Sequence, residues 1–147
     1  MIVRLNMLLN SHALALLRIS LGIVYVWFGA LKYFPNTSTA DQLAKETIAV
    51  ITFGLIPGAV SIVMLALWET VLGTLLIVGV WRRAVYYLLL VHLACTFVPL
   101  FAFVELSFSR PPVVFTLVGQ YIVKNIVFIA AALVLNIRQQ ATPEEAG

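Results

Sequence analysis

Charge is what this sequence most lacks. Only 10% of its 147 residues are charged while 63% are hydrophobic, against about 25% charged in ordinary soluble domains. Too little polar surface is available to cover a water-exposed globule, so the bilayer is the expected solvent. Cysteine is almost missing as well. Cys95 stands alone, which excludes an intrachain disulfide, a Cys-x-x-Cys motif and a thiolate cluster. A membrane thiol oxidase working through its own cysteine pair is thereby ruled out. Histidine is confined to His12 and His92, expected at different depths, which argues against a bis-histidine haem within the chain. One imidazole and one carboxylate make too small a ligand set for a metal, so no metal is expected. There is no Gly-rich phosphate loop, nucleophile elbow or metalloprotease signature. Basic runs are missing too: the nine Lys and Arg fall singly except for Arg82-Arg83. That pair fits a membrane edge better than a nucleic-acid patch.

What the sequence does contain is four long apolar runs. A hydrocarbon core about 30 Å thick takes roughly 20 apolar residues as helix, and the pattern predicts spans at 13–34, 59–80, 84–104 and 117–137. Four spans and their connections account for all 147 residues, which leaves no length for a soluble catalytic domain. The fold expected is all-α: a single-domain integral membrane four-helix bundle. The first run is too long for a signal-peptide core and is read as a retained span, with Ser11 as its N-cap and Pro35 just past its end. Pro99 lies near the end of the third span, where a membrane helix tolerates it. Tyr33, Trp81, Tyr86 and Tyr87 fall near span ends, as aromatic belts do.

The connection over residues 36–56 is too long for a bare loop. Thr39 followed by Gln42 resembles a capping box. Leu43, Ile48, Ile51 and Leu55 then recur opposite Asp41, Lys45 and Glu46, which predicts a short amphipathic helix on the membrane surface. It is either a tether or a lid over the bundle. The polar tail over residues 138–147 is expected to be frayed. An even number of spans puts both termini on one side. Arg4, Arg82, Arg83 and Arg138, with Arg18 just inside, outweigh Lys32, Lys45 and Arg110 opposite, which favours cytoplasmic termini.

Charged side chains deep in a bilayer cost several kcal/mol unless paired or solvated, so their spacing is informative. In the first span Arg18, Gly22, Tyr25, Gly29 and Lys32 fall on one helical face, combining small residues for close helix approach with charge at either end. In the second, Ile62, Ala66, Glu69, Gly73 and Leu76 share a face with Glu69 near mid-membrane. His92, Cys95 and Thr96 share one in the third. In the fourth, Gln120, Tyr121, Lys124 and Asn125 form adjacent polar columns, with Ala131 below them. A bundle with all four polar faces inward satisfies them most cheaply. At a rise of about 1.5 Å per residue, Glu69 reaches a depth similar to Lys124 and His92. Glu69 is therefore expected to pair with Lys124 or His92, and Lys32 with Glu105. Such pairs either fix helix register or take part in binding and proton handling.

These landmarks resemble a known family. Leu17-Arg18-Ile19-Ser20-Leu21-Gly22 with Gly29 and Lys32, then Glu69, Gly73 and Gly79 before Arg82-Arg83, then Gly119-Gln120-Tyr121-Ile122-Val123-Lys124-Asn125, resemble the DoxX-like family of small membrane proteins. The resemblance covers about residues 16–136, and Leu72 stands where it implies a second glycine before Gly73. It implies a four-helix membrane bundle, with Arg18, Lys32, Glu69 and Lys124 at matching positions. Relatives are associated with quinone-linked sulfur oxidation, oxidative-stress complexes and accessory or maturation roles. The leading expectation is an accessory or assembly subunit in the inner membrane, beside a redox or stress-response system, and not an enzyme on its own. One alternative is a quinone-interacting oxidoreductase subunit, with Tyr25, Trp27, Trp68 and Tyr121 beside Glu69 and His92. The other is a small proton-coupled exporter using Glu69. No cofactor is expected, quinone being the one candidate. The partners expected are the lipid bilayer and another membrane or membrane-associated protein, with a homo-oligomer as the alternative and no nucleic acid.

Overall fold

The computed structural model describes the backbone of residues 2–34 and 40–141, and side chains within 12–34 and 40–139. Its elements, in chain order, are α1 (Ile2–Leu31), α2 (Asp41–Ile51), α3 (Gly58–Val78), α4 (Arg82–Cys95), α5 (Val98–Ala102), α6 (Val104–Ser107), β1 (Phe108–Arg110), β2 (Val114–Phe115), α7 (Leu117–Val123) and α8 (Asn125–Ala141). Four helical stretches are long and apolar enough to cross a membrane: His12–Leu31, Gly58–Val78, Arg82–Ala102 and Leu117–Gln139. The chain is an all-α multi-pass membrane bundle.

α1 and α3 form its tightest pair, and glycine sets their distance. A Cβ on Gly22 would lie 2.7 Å from the Gly73 carbonyl oxygen, and one on Gly73 would lie 2.6 Å from the Val26 amide nitrogen. Two turns further along α1, a Cβ on Gly29 would lie 2.8 Å from the Thr70 amide nitrogen. Positions 22 and 29 thus meet 73 and 70 in reverse order, so the helices run antiparallel with backbones in contact. Leu72 does not prevent this approach. It points away from α1's glycines into a core of Leu21, Tyr25, Leu76, Val85, Tyr86, Leu89, Leu93, Ala132 and Leu135, while Gly73 alone supplies the gap. The hydroxyls of Thr70, Thr74 and Thr96 bond carbonyls of their own helices, which satisfies them where water is absent.

Several boundaries differ from expectation. α1 is continuous through Ser11, so Ser11 does not cap it; Pro35 lies outside the described residues. The third span is interrupted at Thr96-Phe97, between α4 and α5. Pro99 has no N–H for the Cys95 carbonyl, and its ring crowds that carbonyl. The fourth span is interrupted at Lys124, between α7 and α8. The tail expected to fray at 138 continues as helix to Ala141; residues 142–147 lie outside the described residues. A short hairpin, β1–β2, pairs Phe108 with Phe115 around a cis Pro111-Pro112 bond, and its sequence gave no alternating signal. It returns the chain so that the Thr116 hydroxyl accepts from the Gly119 amide at 3.1 Å, capping α7.

The connection after the first span does hold a helix, α2, which packs on α3 and α5. Its buried face differs from the predicted one: Thr47 is buried, whereas Ile51 is 41% and Leu55 82% exposed. Thr47 can turn inward because its hydroxyl bonds the Leu43 carbonyl at 2.6 Å. α2 begins after Ala40, and Gln42 donates to Glu46 at 2.6 Å instead of reaching back. Thr39 lies outside the described residues.

Candidate functional site

α1, α3 and α4 converge on one buried ionic group. Lys32 Nζ donates to Glu69 Oε2 at 2.6 Å, with side chains only 5% and 10% exposed. His92 Nε2 lies 3.7 Å from Glu69 Oε1. Lys32 also donates to the Phe28 carbonyl at 3.2 Å, and Tyr25 meets the His92 ring edge-on, with centroids 5.5 Å apart. Both carboxylate oxygens therefore face a nitrogen. The α2 helix packed on α3 begins with Asp41. Its Oδ1 is buried without a hydrogen-bond partner among the described residues.

Half of the depth argument holds. Glu69 does meet His92, but its cation is Lys32, neither Lys124 nor a Lys32–Glu105 pair. Counting Cα depth misleads here because side chains on a helix lean toward its N-terminus. In antiparallel α1 and α3 that lean carries Lys32 and Glu69 toward one another. Lys32 begins beyond the end of α1 and reaches back a full turn to the level of Phe28. Lys124 leans the other way, toward the α7 start, where its Nζ stands 4.2 Å from the Tyr121 ring centroid.

The inward faces of the first two spans are as predicted. Gly22, Tyr25, Gly29 and Lys32 are buried, as are Ile62, Ala66, Glu69, Gly73 and Leu76. The fourth is different: Gln120, Tyr121 and Lys124 are exposed, and Gly119, Ile122, Ala132 and Leu135 face the core. Asn136, further along, is buried, and of the four expected polar residues Asn125 alone turns inward, donating to the Thr96 hydroxyl at 3.0 Å. This second polar contact ties α8 to the end of α4, and Cys95 beside it is half-buried. The expectation of four converging polar stripes is thus corrected to three, because a lysine can lie along aromatic rings toward the membrane edge.

Arg18 belongs elsewhere. Its Nη1 donates to the carbonyls of Leu76 and, at 2.9 Å, Ile77, two acceptors left open at the α3 C-terminus. Arg82 Nε donates to the Gly79 carbonyl at 2.9 Å. Gly79 takes φ +82° there, a left-handed conformation suited to glycine. Arg18 is a helix-capping residue, remote from the carboxylate. Arg18→Leu should lower stability by about 1.5–3 kcal/mol, the loss of hydrogen bonds from a charged donor, and Arg18→Lys by less. Thermal unfolding in detergent would show this order; equal melting of all three proteins would remove the capping role.

With this geometry in view, comparison with family models finds the DoxX model over residues 13–105. The chain belongs to the DoxX family. The match contains Arg18, Lys32, Glu69 and His92 and stops before Lys124, so the buried ionic group lies inside the family region and the exposed lysine beyond it. Searches among curated proteins and solved structures find no match. For this DoxX protein, sequence reasoning underrated Asp41 and Phe28. Asp41 was read only as the polar face of a surface helix, and nothing in the spacing signals that Phe28 lies between two lysines.

Proposed function

We propose that the chain is an accessory integral-membrane subunit that docks beside a redox or stress-response protein, and that Lys124 marks the docking face. Lys124 carries the reading. It is exposed within the fourth span, and its contacts are aromatic: Tyr121, and Phe28 with its centroid 5.8 Å from Nζ. Lys32 Nζ lies at the same 5.8 Å from Phe28 but has Glu69. Ring contacts do not neutralise the Lys124 ammonium, so a partner helix presenting a carboxylate near the start of the fourth span complements it. Glu69, already held by Lys32 with His92 beside it, then serves to fix helix register.

A quinone-interacting subunit is the second reading, favoured by the same patch: an aromatic headgroup arriving from lipid would meet Tyr121, Phe28 and Lys124, with His92 and Tyr25 behind. The exporter reading is weakened, because a cationic substrate would have to displace Lys32 from Glu69. In this account the chain works in the inner (plasma) membrane without catalysing a reaction alone. Both termini are cytoplasmic, the side weighted by Arg82, Arg83 and Arg138.

A photo-crosslinking residue at Tyr121, activated in native membranes, tests the docking face. The expected product is a discrete protein adduct, weakened by Lys124→Gln and abolished by Lys124→Glu. Adducts of quinone mass alone, insensitive to Lys124→Gln, would reject the accessory reading for the second one.

A further inference from the structure

A recess of about 460 Å³ opens at the α3–α4 turn, lined by Gly79, Trp81, Arg82, Arg83, Ala84 and Gln139. It lies where α3 ends and α4 begins, at the level of two span ends, which is where phospholipid phosphates lie. We propose that this recess binds the phosphate of an anionic phospholipid headgroup.

Charge is the first argument. Arg82 and Arg83 are both exposed at the recess. Arg82 uses its Nε to hold the Gly79 carbonyl at 2.9 Å, which fixes the guanidinium while leaving its four terminal N–H donors for a ligand. The Arg18 guanidinium stands behind the wall: a Cβ on Gly79 would lie 2.6 Å from its Nη1. The described acidic residues lie elsewhere, Asp41 and Glu46 in α2, Glu69 within α3 and Glu105 in α6. Among the described residues three guanidiniums therefore gather without a carboxylate, and planar guanidinium forks match phosphate oxygens.

Location selects the source of that phosphate. Trp81, on the rim, is 78% exposed; an indole prefers the headgroup zone, with its ring against acyl chains and its N–H toward water. Val78 and Val80, 63% and 44% exposed, continue the apolar surface on which acyl chains would lie. A free phosphate would use the guanidiniums and leave this apolar rim without a role. A diacyl phosphate uses both.

Native mass spectrometry and thermal unfolding of the detergent-solubilised full chain test the proposal. The probes are phosphatidylglycerol, phosphatidylcholine and inorganic phosphate. Phosphatidylglycerol should remain bound and raise the melting temperature more than phosphatidylcholine does, and inorganic phosphate should do neither. Arg83→Gln should weaken phosphatidylglycerol binding about fivefold, the effect of one interfacial arginine, without unfolding the chain, since no helix cap uses Arg83. Arg82→Gln should weaken it similarly; as it also removes the Gly79 bond, Arg83→Gln is the deciding variant. Equal retention of both lipids, or full phosphatidylglycerol preference in Arg83→Gln, would overturn the proposal. So would stabilisation by inorganic phosphate equal to that by phosphatidylglycerol.

Discussion

Glu69→Leu and Lys32→Leu should each destabilise the bundle by about 3–5 kcal/mol, while the double variant should recover most of that loss. Each single change strands one buried charge in a region with little access to water. The double change removes both and replaces them with apolar volume, which is often neutral at buried ion pairs. Recovery should be incomplete, because His92, 3.7 Å from Glu69 Oε1, loses its polar neighbour when position 69 is leucine. Glu69→Gln should cost less than Glu69→Leu, since an amide oxygen still accepts from Lys32. Lys124→Leu should recover nothing when combined with Glu69→Leu, because Lys124 lies over Tyr121 and Phe28. Melting of these variants in detergent checks the ordering, and complementation of a deletion strain gives it functional meaning. A stable Glu69→Leu, Lys32→Leu protein that complements fits an accessory subunit whose ion pair sets register. A stable one that fails to complement would assign the pair a part in proton handling or ligand binding.

The second large effect is expected at the α1–α3 contact. Gly73→Ala places a methyl group 2.6 Å from the Val26 amide nitrogen and 2.7 Å from the Gly22 carbonyl oxygen. Both are backbone atoms of a helix, so relief requires the helices to separate. The cost should be about 1–3 kcal/mol, rising with the larger side chain of Gly73→Val. Separation would also lengthen the Lys32–Glu69 contact, so Gly73→Ala and Glu69→Leu should be less than additive. Unchanged melting of Gly73→Ala would mean that these backbones do not touch.

The first two spans were legible almost residue by residue. Heptad-like spacing of Gly22, Gly29, Glu69 and Gly73 records a close helix pair, and small residues facing a carboxylate have few other uses in an apolar helix. The fourth span was not legible in the same way. Gln120, Tyr121 and Lys124 are polar by type, but long or amphipathic side chains near a span end can lie along the lipid-facing surface, so polarity there does not mark the inward face. The cation of Glu69 was misassigned for a related reason. Residue counts place Cα atoms, whereas Lys32 reaches back a full turn. The β1–β2 hairpin was missed because three- and two-residue strands carry too little alternation to register. α2 was found from its periodicity, yet its buried side includes Thr47, a residue whose hydroxyl is satisfied by its own helix.

The Lys32–Glu69 contact is central to the account, and a solid-state NMR distance measures it directly. With the full chain in bilayers carrying ¹⁵N-labelled lysine side chains and ¹³C-labelled glutamate carboxyls, the Glu69 carboxyl should be strongly dephased by a lysine Nζ. That dephasing should vanish in Lys32→Met and persist in Lys124→Met. Dephasing that survives Lys32→Met and disappears in Lys124→Met would contradict the account and make the fourth span the partner of Glu69.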